Sequence, residues 1–387
     1  MAFEHYTYAA GKRLRCGFTT GTCAALAASG AARRLLTGRW PETVSLLTPK
    51  GLRVEVPLER RRMEAGRAVC AVRKDAGDDI DQTAGALIEA CVAFTGAPGV
   101  AIDGGSGGGR VTRPGLDQPV GAAAINRVPR RMIREAVEIV CRAAEYTGGI
   151  AVTISVPGGE ELARRTFNPS LGVVGGISIL GTSGIVEPMS MQAMIDTVAL
   201  ELRQAAAQGS RRVILTPGNY GMDYLHSRGL DAMGVPVVKC SNFIGDALDA
   251  AAAQGFQSVL LVGHAGKLVK LAGGIMNTHS RYADCRTELF CAHAAVCGAG
   301  QAVCRALLDA ATADACIAIL EETGLREAVM ASLLAAAGDH LRRRAAGAYQ
   351  IGAVIFSREY GELGRTPEAE EIIRQWKQNA EFSTASE

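Results

Sequence analysis

From Gly149 onward, short β-branched runs alternate with amphipathic stretches, and small polar turns follow the runs. Before Gly149, extended segments are framed by two helical patterns instead. These observations predict a two-domain α and β protein: an N-terminal α+β domain (residues 1–148), then a Rossmann-like α/β domain with a mainly parallel sheet (149–357), then a polar C-terminal tail (358–387). A length of 387 residues fits two domains of roughly 150 residues each with an appendage.

In the first domain, Thr19 or Thr20 is placed to cap a small-residue helix from Thr22 to Leu36. Extended segments are expected at Thr43–Leu47, Arg53–Leu58, Ala68–Arg73 and Leu87–Phe94, and a helix from Pro129 to about Glu145, proline suiting a first helical turn. The Gly104–Gly109 stretch reads as a flexible hairpin loop. In the second domain the expected strands are Ala151–Val156, Ile177–Leu180, Val213–Thr216, Val235–Lys239 and Ser258–Val262. Met191, Met194, Ile195, Val198, Leu202 and Ala205 repeat at helical spacing, and Gln208-Gly209 ends that helix. Further helices are expected in Ala294–Ala311 and Ala328–Arg344, and a last strand at Ile351–Phe356.

Composition excludes several functions. Apolar residues make up 48% and charged residues 21%, enough apolar surface for a full core. Lys+Arg at 41 nearly balances Asp+Glu at 39, and aromatics are only 5%, which argues against a nucleic-acid surface. No apolar run has the length or purity of a membrane span, and Met1 to Gly11 lacks the apolar core of a signal peptide, so a cytoplasmic protein is expected. The eleven cysteines contain no CxxC pair, and Cys285, Cys291 and Cys297 at steps of six point three ways on a helix. They read as small hydrophobes, and no metal site is expected.

The turns after the second-domain strands carry the chemistry: Gly181-Thr182-Ser183-Gly184 with Glu187, Pro217–Gly221, Cys240-Ser241-Asn242, and Gly263–Lys267. In a parallel sheet such turns emerge together at the carboxyl ends of the strands, where ligands bind. Gly263–Lys267 combines free amides, His264 and Lys267 and suits an anionic group, yet it lacks Walker A spacing. No Gly-x-Gly-x-x-Gly follows a strand, so NAD has no support. Asn277, His279, Asp284, Arg286 and Glu288 form either a site wall or a solvated loop with Asp284 capping the next helix. Thr19, Thr20 and Thr22 suit either an anion or a helix cap. Lys74–Asp79, with Asp78 and Asp79, is a surface turn, a cation site or a general-base cluster.

Several longer strings follow one another along the chain. Gly17–Ala25 (GFTTGTCAA), Lys74–Asp79 (KDAGDD), Pro157–Asn168 (PGGEELARRTFN), Gly175–Ser190 (GGISILGTSGIVEPMS), Thr216–Gly221 (TPGNYG), Lys239–Gly245 (KCSNFIG) and Gly263–Ser280 (GHAGKLVKLAGGIMNTHS), followed by Ala283-Asp284 and Arg286, occur in this order. The chain resembles the cobalt-precorrin-5B C1-methyltransferase family from about Leu14 to about Phe356. Ala84 stands where that family often has histidine, and Ala265 and Met276 where it often has bulkier apolar residues.

The resemblance implies transfer of a methyl group from S-adenosylmethionine to ring carbon C1 of cobalt-precorrin-5B, giving cobalt-precorrin-6A, in anaerobic cobalamin biosynthesis. On that footing Gly181, Thr182, Ser183, Gly184 and Glu187 are expected along the donor, with Gly218-Asn219 or Ser241-Asn242 on its amino-acid part. Lys239, His264, Lys267 and Lys270, with Thr19, Thr20 and Thr22, are expected on the substrate's carboxylates. Asp78, Asp79, His264, His279 and Asp284 are the candidates for proton handling. The expected partners are the tetrapyrrole, neighbouring enzymes of the pathway and a second copy of the chain, without nucleic acid or membrane. A nucleotide-dependent phosphotransferase and a corrinoid carrier without turnover are the alternatives the residues leave open.

Overall fold

The computed structural model describes residues 3–384 apart from Ala10, Phe167 and Ser170, and it divides into two units, Met1–Met191 and Gln192–Glu387. In the first, α1 (Thr20–Thr37) is rich in alanine, glycine and threonine and is buried over most of its length. Its small side chains let it lie against the sheet, while Thr19 caps it by accepting from the Thr22 amide at 3.2 Å. Beneath it, β1 (Glu59–Glu64), β2 (Arg67–Arg73), β3 (Leu87–Thr95), β4 (Val100–Gly104) and β5 (Gly149–Ser155) form a sheet of order β1-β2-β3-β5-β4. Pairing is antiparallel except between β4 and β5. Helix α2 (Arg127–Ala143) completes the core with Ile133 and Val137.

The boundary expected at Gly149 is therefore corrected. β5 does not open the second domain; it lies between β3 and β4, with Ile150 opposite both Phe94 and Val100. Nor does Ile177–Leu180 join the second sheet: Gly176–Ile177 pairs with Gly107–Gly108, and Ile179 bridges to Ile125. The Gly104–Gly109 stretch is no free hairpin loop. Gly107 has φ +67°, and a Cβ there would lie 1.9 Å from the Val156 carbonyl, so backbone meets backbone. Strand partners distant in sequence leave no local signal, so the change of pattern at Gly149 marked a change within the first unit.

In the second unit, β6 (Arg212–Thr216), β7 (Val237–Lys239), β8 (Ser258–His264), β9 (Gln350–Ser357) and β10 (Gly361–Arg365) form a sheet of order β7-β6-β8-β9-β10. The first four are parallel and β10 runs antiparallel to β9. Side chains alternate between two cores. Val213, Leu215, Val259, Leu261, Ile351 and Ala353 face one, where α3 (Met191–Ala207), α5 (Ile244–Ala253), α6 (Arg286–Val296) and α9 (Arg326–Ala345) bury their apolar sides. Ile214, Leu260, Val262, Val354 and Phe356 face the other, with α4 (Asn219–Ser227) and α10 (Pro367–Thr384). Helices α7 (Gln301–Asp309) and α8 (Ala313–Glu322) lie between α6 and α9 in sequence. The apolar face expected on α3 is only partly covered: Val198, Leu202 and Ala205 are buried, while Met191 and Met194 stay exposed.

Residues 358–387 are not a polar appendage. They supply β10, and α10 buries Ala369, Ile372, Ile373 and Trp376 against the sheet. This i, i+3, i+4, i+7 stripe is what the polar composition of the segment concealed. Its last residues, Ala385–Glu387, lie outside the described residues. Trp376 Nε1 donates to Ser258 Oγ at 3.1 Å, and the helix passes so near β9 that a Cβ on Gly352 would lie 2.5 Å from the Ala369 backbone. Trp376→Ala should lower stability by about 3–5 kcal/mol in denaturant unfolding, the usual cost of emptying a buried aromatic site. A loss under about 1 kcal/mol would contradict this packing.

Candidate functional site

In the second sheet the chain leaves β6 toward β7 on one side, whereas the next connection carries it back across to β8 on the other. The carboxyl ends of β6 and β8 thus lie side by side while the segments that follow them diverge, which opens a crevice. A cavity of about 670 Å³ occupies this position. Thr216 and Gly263 are its buried floor, the Pro217–Gly221 turn and His264–Lys267 its flanks, and His279 and Ser280 its exposed rim.

Each cation of the site has a defined partner. Lys267 follows β8 on the short helix Ala265–Leu268, and its Nζ donates to the Pro217 carbonyl at 2.6 Å. Burial pushes this ammonium below its ordinary range, as a half-covered charge in a polar cleft requires. Lys270 is only 2% exposed. Its Nζ donates to the carbonyls of Thr278 at 3.1 Å and Ala283 at 2.9 Å and lies 3.5 Å from Asp284, tying down the loop that forms the rim. Asn242 secures the same loop, accepting at its carbonyl from the Thr278 amide at 3.0 Å and at Oδ1 from the Thr278 hydroxyl at 3.3 Å. Asn219 heads α4 and accepts from Lys239 Nζ at 3.0 Å.

The two histidines differ. His264 Nδ1 accepts from the Gly266 amide at 3.1 Å, so the neutral ring carries its proton on Nε2, 3.7 Å from Asp314 Oδ2. Its ring meets Phe356 edge-on, and burial pushes the imidazole below its ordinary value, with Asp314 opposing and Arg358 reinforcing the shift. His279 sits on the rim, where its Nδ1 accepts from the Arg281 amide at 3.1 Å. Asp284 does not cap α6. Cys285 occupies that position with a left-handed backbone, and Asp284 receives the Arg286 guanidinium through two bonds of 2.5 and 2.9 Å. Arg286 holds this carboxyl below the usual carboxylate range.

The structure thus gathers Gly218, Asn219, Asn242, His264, Lys267, Lys270 and His279 around one cavity. Ser241 stands just outside it with φ +52°, and Lys239 reaches it only through Asn219. The other candidates belong to the first unit, where most of their polar groups are engaged. Thr20 Oγ1 accepts from the Leu180 amide at 2.9 Å and Thr22 Oγ1 donates to the Gly184 carbonyl at 2.6 Å. Gly181 packs against Thr19, Ser183 Oγ donates to the Ile185 carbonyl at 2.9 Å, Thr182 is exposed, and Glu187 pairs with Lys50. Asp78 accepts from the Arg15 amide at 2.6 Å, and neighbouring Asp75 binds the Arg15 guanidinium, so this turn clamps a strand; Asp79 donates its amide to the Ala76 carbonyl at 3.3 Å. Arg286, from the expected site wall, also lines the cavity, and Tyr220 and Thr278 line it beyond the expected set. Tyr220 and Thr278 lay within strings already singled out, whereas Asp314 comes from α8, fifty residues beyond His264, with no local signal. Among the described residues no cluster of His, Cys, Asp or Glu is placed to hold a metal ion, and no helix is long and apolar enough to cross a membrane.

A mainly parallel α/β unit with a polar, cation-lined pocket at the reversal of its strand order has the architecture in which small-molecule sites commonly form. The chain belongs to the CbiD family: residues 7–188 match the family model CbiD and residues 277–367 match CbiD, C-terminal domain. It is 47% identical to a protein of Ruminiclostridium cellulolyticum named cobalt-precorrin-5B C(1)-methyltransferase, over 92% of each chain. A protein of the same name from Alkaliphilus metalliredigens is 40% identical over 96% of this chain and 97% of its own. A crystal structure of the cobalamin biosynthesis protein CbiD from Archaeoglobus fulgidus is 29% identical, with a TM-score of 0.40, covering 73% of this chain and 87% of that one.

The arrangement around His264 has a measurable consequence. Because burial lowers its pKa below the unfolded value, the folded state binds fewer protons just under pH 6.5, so its contribution to stability is lost as pH falls through that region. Asp314→Asn removes the opposing charge and should move the His264 ring titration, followed by NMR, further down; Arg358→Gln should move it up. A rise in the Asp314→Asn variant would contradict the assignment.

Proposed function

We propose that this protein transfers the methyl group of S-adenosylmethionine to ring carbon C1 of cobalt-precorrin-5B, giving cobalt-precorrin-6A. The observation that carries this reading is 47% identity over 92% of both chains to a protein named for that reaction. The reading includes a cytoplasmic setting, the Rossmann-like description of the second unit, and, as partners, neighbouring enzymes of cobalamin synthesis and a second copy of the chain.

We assign the donor to the second-unit cavity, because the Gly181–Gly184 backbone and Glu187 already have partners within the first unit. A volume of about 670 Å³ falls inside the range of roughly 300–1,000 Å³ that encloses a ligand of the donor's size. Gly218, Asn219 and Asn242 offer both donors and acceptors, which fits a group bearing an ammonium and a carboxylate together. When bound, S-adenosylmethionine supplies an electrophilic methyl on a sulfonium. The protein's part is alignment of that methyl with the receiving carbon. Lys267 and Arg286 would hold carboxylates of the tetrapyrrole at the opening.

Proton handling falls to His279 in this scheme. His264 faces Asp314, Arg286 holds Asp284, Lys270 is enclosed by the rim loop, and Lys267 binds Pro217, so the histidine on the rim is the group we assign. Two experiments bear on the proposal. Anaerobic incubation with cobalt-precorrin-5B and methyl-labelled donor should place one label at C1; binding of both ligands without transfer would overturn the reaction. Lys267→Ala should raise the Kd for the tetrapyrrole about tenfold or more, the scale of a lost hydrogen bond to a charge, and leave donor affinity nearly unchanged. Equal loss of both affinities would contradict this division.

A further inference from the structure

We infer that a second groove on the same edge of the second sheet, walled from the donor cavity by Tyr220, receives a peripheral carboxylate of the substrate through Arg228 and Arg358. The inference rests on the proposed function and deepens it by naming a specificity element for the tetrapyrrole. The groove has a volume of about 460 Å³ and lies between α4 and the end of β9, and Tyr220 lines both spaces.

Its wall is aromatic. Tyr224 stacks on Phe356 with centroids 4.4 Å apart, Phe356 meets His264 edge-on at 5.8 Å, and His264 lies 6.0 Å from Tyr220. One guanidinium sits over each tyrosine: Arg358 is 4.8 Å from the Tyr220 centroid and Arg228 is 5.6 Å from that of Tyr224. A guanidinium held over an aromatic ring keeps N–H donors for a planar anion, which arginine can receive through two parallel bonds.

The other polar groups of the groove are engaged. Tyr224 donates to Glu362 at 2.6 Å, Ser227 to the Tyr224 carbonyl at 2.8 Å, and Ser357 to Asp314 at 2.7 Å. Glu362 is also paired with Arg365 at 2.5 Å. Asp223 is the one carboxylate lining the groove, set against two guanidiniums, and among the described residues neither Arg228 nor Arg358 has a carboxylate within ion-pair distance. What remains to be satisfied is positive and fork-shaped, so a carboxylate fits better than a neutral ligand. A macrocycle whose rim carries several carboxylates can reach past Tyr220 with one of them while its ring edge faces the donor cavity.

The test uses the full-length protein and a stable probe, cobyrinic acid, beside its fully methyl-esterified form, with S-adenosylhomocysteine as the donor analogue. Arg358→Gln and Arg228→Gln should each raise the Kd for cobyrinic acid about tenfold, and Arg358→Lys less, because it keeps the charge but loses the fork. The ester should bind the wild type weakly and be indifferent to these changes, and S-adenosylhomocysteine affinity should hold. Unchanged binding of the acid, or equal loss for acid and ester, would overturn the groove. If the wild type transfers no methyl group yet binds the acid through both arginines, the groove stands and the assigned reaction falls.

Discussion

The main cavity of the second unit depends on one topological constraint: β6 and β8 are neighbours, but the chain departs from them toward opposite edges of the sheet. Parallel strands end with their carbonyls and the following amides on the same edge, and where the connections diverge no element covers that edge. The cavity is therefore a product of strand order. The residues at its floor, Thr216 and Gly263, are the last or nearly the last of their strands.

Charge placement then decides what the cavity can do. Lys270, almost fully buried, acts as a structural cation that binds two carbonyls of the rim loop. Asp284 is neutralised by Arg286, and both ring nitrogens of His264 face fixed partners. Such a site is rigid and cation-rich and carries little free acid or base. This suits an alignment-dominated displacement, in which the protein must hold two partners at a fixed approach more than it must move protons.

Much of this was legible in the sequence, and the rest was hidden for definable reasons. Periodicity located the strands Val213–Thr216 and Ser258–Val262 and the polar turns after them, because parallel buried strands carry continuous apolar runs and their turns need small residues. The domain boundary failed because β5 finds its partners more than forty residues upstream, a relation no local window contains. The C-terminal helix was misjudged because four buried residues, Ala369 to Trp376, were diluted among Glu, Arg and Gln. Among the site residues, those on turns could be found by reading along the chain. Whether Thr22 faced a ligand or the Gly184 carbonyl depended on a contact 162 residues away.

The central claim is that the donor binds at the reversal of strand order in the second unit and not along Gly181–Gly184. Amide hydrogen exchange of the full chain with and without S-adenosylhomocysteine tests it directly. Donor binding at that reversal predicts slowed exchange across 216–221 and 263–268, with 181–187 unchanged. Protection confined to 181–187 would contradict it.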